Sequence, residues 1–429
     1  MGLTRELDPV LAGHDRLTDA IGIGVLTRLL DRDLVDEAIT AADRQEKRKR
    51  LLPARVVVYY VLALCLFFGD SYEEVMRKLT HGLRAVGSWR KEWAIPTTGA
   101  ISKARMRLGE EPLRLLFERV ALPMAKRSTP GAWLRRFRLM AIDGVIFNVA
   151  DTEDNENGFG RCRGKNPAPF PQVRVTALVE CGTHAAVAAD IAPWKEQERA
   201  QVARLLPAFE ADMLVLADAG MYSYDLWKAA SQTGAALVWR VQTNRVFPVL
   251  SVLPDGSYRS EIGDPRQKDH NREYERGKRL RKLSVDSLQV RVIDYKIPNR
   301  EGRDEFIRLI TTILDPVEAS AAELAAVYHE RWEEESVLDE IETDVRGGSN
   351  VVLRSKHAET VRQEIWALFL AHYAVRHLMT EAAEQADVDV DRISFIRSFR
   401  AIRRQVSDQA AFSPYNTGTS EPRNDLRNT

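Results

Sequence analysis

Apolar residues recur at helical spacing through the first 130 residues and predict an all-α N-terminal region. Ser71 and Glu74 have the spacing of a capping box, in which a serine hydroxyl and a glutamate carboxylate satisfy backbone amides at the start of a helix. The most apolar stretch, residues 56–68, is well short of the roughly 20 residues that a membrane span requires. It therefore predicts a helix buried in a core.

From residue 138 the pattern changes to short apolar runs separated by helical segments, which is typical of an α/β core. Cys181, Gly182 and Thr183 lie between two such runs and predict a hairpin. The predicted strands are residues 139–142, 173–179, 185–191, 213–217 and 236–241, with helices at 197–209 and 223–230. Residues 242–304 interrupt this alternation with further β-like runs, residues 306–313 resume the core, and residues 317–385 are predicted to be helical.

These patterns divide the chain into five predicted segments. They are an all-α N-terminal domain at 1–130, the first part of an α/β core at 131–241, a β-rich insertion at 242–304, the second part of the core with C-terminal helices at 305–412, and a disordered tail at 413–429.

Composition narrows the class of protein. The 62 Lys+Arg balance the 62 Asp+Glu, and a formal net charge of zero argues against a uniformly basic nucleic-acid binder. The three cysteines, Cys65, Cys162 and Cys181, form no CxxC pair, so we expect neither a disulfide scaffold nor a structural zinc site. No basic segment followed by an apolar run opens the sequence, so we expect no signal peptide and a reducing, cytoplasmic location.

Two acidic residues follow predicted strands and are candidates for chemistry. Asp143 comes after residues 139–142, and Asp218 comes after residues 213–217. An aspartate in this position lies at the carboxyl edge of the sheet, where α/β proteins assemble their sites. Aspartate is also a common turn and capping residue, so a purely structural role stays open for each. The acidic run at 151–156 predicts a solvated loop.

A third candidate group lies on a predicted helix. Tyr328, Arg331 and Glu335 fall within roughly 60° of one another on one helix face at 100° per residue. That face offers a carboxylate for a metal ion, with a guanidinium and a phenol for phosphate oxygens. A solvated acidic helix with an Arg331–Glu335 ion pair is the open alternative. Trp332 has two open roles, stacking on a displaced base or anchoring the helix to the core.

Taken together, Asp143, Asp218 and Glu335 resemble the three acids of the DDE transposases of the insertion-element-four family, with Tyr328 and Arg331 in the third block. The N-terminal region is similar to the domain of one branch of that family. The matching segments are residues 24–28, 52–55, 100–105 and 107–109. The resemblance implies a ribonuclease-H-like mixed sheet core with a β-rich insertion between the second Asp and the Glu, preceded by a helical DNA-binding domain.

Three carboxylates bring three negative charges together, which divalent cations neutralise, and hard oxygen ligands suit Mg²⁺ or Mn²⁺. We expect two Mg²⁺ ions, with Mn²⁺ as a substitute, to activate a water or a 3′-hydroxyl and to stabilise the leaving oxygen of a phosphodiester. The resemblance implies cleavage at the inverted repeats of a transposon, with a hairpin intermediate left open, and joining to target DNA. It also implies a homodimer in the synaptic complex. No P-loop is visible, so we expect no ATP requirement. The longest apolar stretch is too short to span a membrane, so we expect no membrane partner.

Charge segregation adds candidate DNA contacts. Residues 1–140 carry 25 Lys+Arg and 17 Asp+Glu, a net +8, and residues 266–300 carry 11 and 5, a net +6. Residues 315–345 carry 1 and 11, a net −10, so neutrality is a cancellation between basic segments and an acidic helix. The predicted DNA-contacting residues are Lys103, Arg105, Arg107, Arg276, Lys278, Arg279, Tyr328, Arg331 and Trp332.

One position departs from the family pattern. The family has Lys seven residues after the catalytic Glu, and this chain has Glu342 there. Lys356 and Arg354 are the candidate replacements for that cation. The departure keeps open a catalytically impaired DNA-binding repressor or inhibitor derived from a transposon. A stand-alone nuclease of the same core fold, without joining activity, is a second alternative.

Overall fold

The computed structural model describes residues 23–48, 50–85, 95–163, 167–264, 266, 287–298, 304–333, 337–346, 348 and 351–407. Its α-helices are α1 (Arg32–Ala41), α2 (Ala54–Leu66), α3 (Tyr72–Ala85), α4 (Thr98–Leu108), α5 (Glu111–Val120), α6 (Glu153–Phe159), α7 (Glu198–Leu205), α8 (Tyr224–Ser231), α9 (Ala321–Glu333), α10 (Val337–Glu340), α11 (Ala358–Ala386) and α12 (Phe395–Ser407). Its strands are β1 (Trp133–Leu134), β2 (Phe137–Asn148), β3 (Gln172–Glu180), β4 (Ala185–Pro193), β5 (Met213–Ala217), β6 (Ala236–Arg240), β7 (Ser251–Val252), β8 (Tyr258–Ile262), β9 (Leu288–Pro298) and β10 (Asp304–Thr311).

The chain divides into two compact units. The first comprises Met1–Val120, Glu359–Met379 and Ile393–Thr429, and the second comprises Ala121–Ala358 and Thr380–Arg392. This division groups C-terminal helical segments with the N-terminal helices, whereas the sequence placed them with the core. The five predicted segments stay a prediction, and the predicted disordered tail lies outside the described residues.

The first unit is built from helices, as predicted. The hydroxyl of Ser71 accepts a hydrogen bond from the Glu74 amide at 3.2 Å and so caps α3. Every residue of α2 except Arg55 is buried, because the helix is apolar on all sides and contacts α1, α3 and α4. In the described segments, no helix is both long and apolar enough to cross a bilayer.

The second unit contains a mixed sheet. Strands β2, β3 and β4 form an antiparallel meander, and β5 and β6 pair in parallel on the other side of β2, in the order β4-β3-β2-β5-β6. This order is the ribonuclease-H-like arrangement, so the predicted fold class is confirmed. The predicted hairpin joins β3 to β4. A Cβ on Gly182 would lie 2.6 Å from the Ala132 backbone nitrogen, so the turn requires glycine.

The strands of the predicted insertion extend this same sheet. Strand β10 pairs antiparallel with β6, and β9, β8 and β7 follow outward in that order. The insertion is therefore continuous with the core through backbone hydrogen bonds.

The two faces of the sheet carry separate cores, because neighbouring residues of a strand point to opposite faces. Met140 and Ile142 belong to the core covered by α7 and α8, which includes Val202 and Trp227. The opposite core includes residues of β2, β5 and β6 together with Leu324 and Tyr328 of α9: Phe137, Leu139, Leu214, Leu216, Ala236 and Val238. The helix of the third acid block therefore covers one defined face.

Three predicted elements were wrong in detail. Strand β2 continues past Asp143 to Asn148, because β-branched and aromatic residues follow the aspartate. The acidic run predicted as a loop enters helix α6, since Thr152 caps it and its acids favour the first turn. Residues 317–385 are not one helical stretch: after α10 a π-helical turn, Ile341–Val345, ends the helix, and Leu353 forms a parallel bridge with Val149.

Candidate active site

Asp143 and Asp218 are brought together by the parallel pairing of β2 with β5. The last two registered pairs are Met140 with Val215 and Ala141 with Leu216. Extending this register by two residues places Asp143 opposite Asp218. Both side chains then lie on the sheet face that packs against α9. The residues just before them, Ile142 and Ala217, point to the other face and belong to the core under α7 and α8.

The surroundings of the two aspartates leave their carboxylates available. Both residues are half-buried. Asp143 Oδ1 accepts a hydrogen bond from the Gly144 amide at 2.8 Å. Asp218 precedes the 3₁₀ turn Ala219–Met221, yet its side chain makes no capping hydrogen bond. Within the part of the chain that the structure describes, neither carboxylate forms an ion pair. The turn and capping roles therefore do not account for Asp218.

The N-terminus of helix α9 is fixed by a capping box. Ser320 and Glu323 form a capping box, in which Ser320 N donates to Glu323 Oε2 at 2.8 Å and Glu323 N donates to Ser320 Oγ at 3.3 Å. The S-x-x-E spacing could have been found in the sequence. Leu324 and Tyr328 then hold the helix against the sheet face that carries Asp143 and Asp218. Glu335 lies two residues beyond the end of α9 and outside the described residues, as do the side chains of Arg331 and Trp332.

A buried arginine ties the insertion to the start of α9. Arg291 of β9 is fully buried; its guanidinium donates to Ser257 Oγ at 2.8 Å and to the Ala319 carbonyl at 2.7 Å, and it pairs with Asp255. Asp255 also accepts a hydrogen bond from the Ala321 amide, the first of α9, at 2.8 Å. Burial by itself raises the pKa of Asp255, but these hydrogen bonds and the charge of Arg291 outweigh it and lower the pKa.

The predicted DNA-contacting residues fall into different environments. Lys103 is exposed, and Arg107 is half-buried and donates to the Leu52 carbonyl at 2.8 Å. Arg105 is buried at 1% exposure, so its predicted DNA contact is wrong for this structure. Its guanidinium donates to Gln363 at 2.8 Å, to the Tyr72 hydroxyl at 2.7 Å and to the Thr360 carbonyl at 2.9 Å, inside the first unit.

Tyr328 is fully buried in the core between α9 and the sheet. Its side chain therefore supports the helix, and a direct phosphate contact would require it to leave this core. The remaining predicted contacts, Arg276, Lys278 and Arg279, lie outside the described residues.

Glu342 lies beside a buried arginine. The guanidinium of Arg346 lies 4.4 Å from the centre of the Phe147 ring, donates to the Val351 carbonyl and has a nitrogen 3.8 Å from a Glu342 carboxylate oxygen. Burial raises the pKa of Glu342, Arg346 lowers it and Asp339 raises it further, with a net rise. The position of the family's lysine is thus a carboxylate that faces a cation of its own chain. Of the candidate replacements, Lys356 is exposed and Arg354 is half-buried.

The donor set fits a divalent cation. Two neighbouring aspartates that form no ion pair among the described residues offer hard oxygen ligands and negative charge, which Mg²⁺ or Mn²⁺ would neutralise. No cluster of three His, Cys, Asp or Glu residues with metal-ligand geometry occurs in the described ranges, from which Glu335 is missing.

Comparisons with known proteins agree with the resemblance. Residues 20–118 match the family model described as insertion element 4 transposase N-terminal, and residues 135–373 match the transposase DDE domain. The transposase InsG for insertion sequence element IS4 of Escherichia coli K12 is 27% identical over 390 residues, which cover 90% of this chain and 83% of that protein. The putative transposase InsZ of the same strain is 26% identical over 213 residues, or 49% of this chain and 68% of that protein.

Among solved structures, a piggyBac transposase synaptic complex with hairpin DNA, determined by cryo-EM, is similar with a TM-score of 0.47 and 10% identity. The similarity covers 94% of this chain and 80% of that one.

Proposed function

The chain belongs to the DDE transposases and carries the N-terminal domain of the insertion-element-4 branch, and we propose that Asp143, Asp218 and Glu335 are its catalytic carboxylates. It is a DNA-cleaving and DNA-joining enzyme. The observation that carries the residue assignment is the β2–β5 register, which brings Asp143 and Asp218 together on the face covered by α9. Glu335 is included in the assignment because it follows the last residue of α9 by two positions in the sequence.

Enzymes of this family generally use divalent metal ions, and we propose two Mg²⁺ ions here, with Mn²⁺ as a substitute. When bound, they would lower the pKa of an attacking water or 3′-hydroxyl and neutralise charge on the leaving oxygen. Asp143 and Asp218 would hold them, because both carboxylates lack an ion pair among the described residues. Glu335 would complete the set.

The protein's own part in the reaction is positioning. Asp143 lies inside a strand that pairs with β3 from Met140 to Asn148, and its Oδ1 is fixed by the Gly144 amide. Asp218 follows the fully buried strand β5, which limits its movement. Carboxylates on such rigid strands keep the attacking and leaving oxygens of an in-line displacement in a fixed geometry.

The proposed DNA substrates are the inverted repeats of the transposon and a target duplex, bound by a homodimer in the synaptic complex. The proposed location is the bacterial cytoplasm, on the nucleoid. The match to the DDE domain does not favour an impaired DNA-binding repressor, and Asp143 and Asp218 are both present and available.

The test uses purified full-length protein, duplex DNA copied from both flanks of its gene, and Mg²⁺. Asp143→Asn should reduce strand cleavage by about 10³-fold or more, because several kcal/mol of charge stabilisation are lost at about 1.4 kcal/mol per tenfold. DNA binding should persist, since the variant removes a metal ligand. The Mg²⁺-dependent rise in melting temperature should disappear together with cleavage.

The matched control is Asp225→Asn, which removes an exposed aspartate that pairs with Arg266 at 2.9 Å. It should cleave at the normal rate. Binding without any cleavage by the unmodified protein would favour the repressor, and cleaved ends that are never joined would favour a stand-alone nuclease. Equal loss of binding and cleavage in Asp143→Asn would contradict the role given to this residue.

A further inference from the structure

The segment that follows Asp218 carries two arginines from other parts of the chain. Asp218 leads into the 3₁₀ turn Ala219–Met221, and Tyr222 ends this turn. We call residues 218–222 the Asp218 loop. At roughly 2 Å of rise per residue, its far end lies within about 8 Å of the aspartate along the chain. Anything that binds to this loop therefore lies next to the proposed catalytic carboxylates.

Arg199 of helix α7 reaches the middle of the Asp218 loop. Its Nε donates a hydrogen bond to the Gly220 carbonyl at 3.0 Å, while the side chain is exposed. The neighbouring acid, Glu198, is bonded to Arg174 at 2.8 Å. Arg199 is thus fixed through Nε, and no hydrogen bond of its two terminal guanidinium nitrogens is seen among the described residues.

Arg245 reaches the end of the same loop from the segment after β6. Its guanidinium lies 4.5 Å from the centre of the Tyr222 ring, and the residue is exposed. Because β6 is parallel to β5, the segment after it emerges at the same sheet edge as Asp218. The Arg245 carbonyl accepts a hydrogen bond from Arg308 at 2.6 Å, which fixes its backbone.

Most arginines of the second unit are neutralised, and these two are not. Arg135, Arg136, Arg138, Arg161, Arg174, Arg204, Arg240 and Arg308 each pair with a carboxylate of the chain. In the described ranges, Arg199 and Arg245 have no carboxylate within ion-pair distance. Both guanidiniums contact one short loop and are accessible without an ion-pair partner among the described residues, which is the arrangement that suits an anionic ligand.

We propose that Arg199 and Arg245 bind phosphates of the DNA strand that enters the active site, Arg199 at the middle of the Asp218 loop and Arg245 at its end. The guanidinium fork matches the geometry of a phosphodiester. Their contact points, Gly220 and Tyr222, are separated by about 4 Å at roughly 2 Å per residue, which is close to the rise of roughly 3.4 Å per nucleotide of one strand, so we assign them neighbouring phosphates. This inference rests on the proposed function, because it takes Asp218 as the site of chemistry.

The test is the salt dependence of DNA binding, measured by fluorescence anisotropy without divalent ions so that no cleavage occurs. The probe is a labelled duplex copied from one flank of the gene. Each lost phosphate contact should reduce the slope of log K against log salt by about 0.9, so Arg199→Gln with Arg245→Gln should reduce it by about 1.8. Arg199→Lys with Arg245→Lys keeps both charges and should retain most of the slope.

The matched control is Arg259→Gln. Arg259 is an exposed arginine on β8 with no carboxylate partner in the described ranges, and it lies outside the Asp218 loop. It should leave the slope unchanged. Thermal unfolding of each variant should match the unmodified protein, because both guanidiniums are exposed.

The outcomes separate the two proposals. An unchanged slope in the double Gln variant, or an equal decrease in Arg259→Gln, would overturn the phosphate contacts while leaving the catalytic role of Asp143 and Asp218 intact. A reduced slope together with undiminished cleavage by Asp143→Asn would support the phosphate contacts and overturn the catalytic assignment.

Discussion

At the scale of single residues, burial separates a basic residue that stabilises the fold from one that is accessible to DNA. Arg105 lies in the basic segment that the sequence marks as DNA-binding, yet all three of its described hydrogen bonds are made inside the first unit. Lys103, two residues away, is exposed. Both are basic residues of the same helix, so the sequence gives no reason to treat them differently, and only their packing distinguishes them.

Arg105→Lys should destabilise the protein by about 3 kcal/mol, because lysine cannot reproduce the fork and leaves buried partners unsatisfied. Lys103→Ala should change the free energy of unfolding by no more than about 0.5 kcal/mol. Urea denaturation measures both values. A stable Arg105→Lys variant that has lost DNA binding would mean that Arg105 contacts DNA after all.

Glu342 gives a second prediction at this scale. Glu342→Lys restores the family's residue type but places a cation beside the buried guanidinium of Arg346, from which the Glu342 carboxylate is 3.8 Å away. We expect a loss of roughly 3 kcal/mol in thermal or urea unfolding, since the substitution replaces a favourable charge interaction with repulsion between two cations in a largely buried place. Glu342→Gln should cost less, because it adds no like charge. A Glu342→Lys variant as stable as the unmodified protein would show that Arg346 does not depend on this carboxylate.

At the scale of elements, the insertion supports the helix of the third acid block. Arg291 of β9 and Asp255 of the β7–β8 turn bind each other and the start of α9. A strand that precedes Glu335 by more than 35 residues in sequence thus helps to determine where that helix begins. We infer that the insertion has a positioning role in addition to any contact with DNA.

Asp255→Asn should lower the stability by about 3 kcal/mol at neutral pH, because it leaves Arg291 buried without its counter-charge. The folded-state pKa of Asp255 lies below its ordinary value of 3.8. Its contribution is therefore complete above that value and is lost as the pH falls through the lower folded-state pKa. The stability difference between variant and unmodified protein should shrink in that acidic range.

The control for this experiment is Asp294→Asn, which removes a partner of Arg308 in a more exposed pair. It should cost less than about 1 kcal/mol. A pH-independent difference for Asp255→Asn would contradict the charge-based explanation.

The sequence predicted the strands, helices and turns that are specified by residues close together in the chain. The strands before Asp143 and Asp218 and the cap at Ser71 depend on neighbouring residues, whereas the need for glycine at position 182 comes from Ala132, fifty residues earlier. What the sequence could not supply depends on distant partners: the pairing of β10 with β6, the burial of Arg105, and the union of Asp255 with Arg291. The register that aligns Asp143 with Asp218 also appears only once both strands share a sheet.

At the scale of the whole molecule, the zero net charge conceals regional charges of opposite sign. The N-terminal 140 residues carry a net +8, and residues 315–345, around the third acid block, carry a net −10. A DNA duplex is attracted by the basic region and repelled by the acidic one, so the distribution of charge, and not its sum, determines where DNA binds.

DNA affinity should therefore fall linearly with the logarithm of salt concentration, as for a basic protein, even though the protein is neutral. Anisotropy titrations from low to physiological salt measure the slope. A slope of zero would mean that the basic segments do not contact phosphate. Addition of Mg²⁺ should raise the affinity at the acidic site, opposite to its screening effect elsewhere.

The position of β6 has a consequence for synthesis on the ribosome. This strand is complete at Arg240, but its second neighbour, β10, begins only at Asp304. At 5–20 residues per second, the edge of the nascent sheet stays unpaired for about 3–13 seconds. Its Leu237, Val238 and Trp239 are apolar, and unpaired apolar edges template aggregation. Chains stalled between residues 241 and 303 should thus be the ones that require chaperones, whereas chains released after residue 311 close the edge themselves.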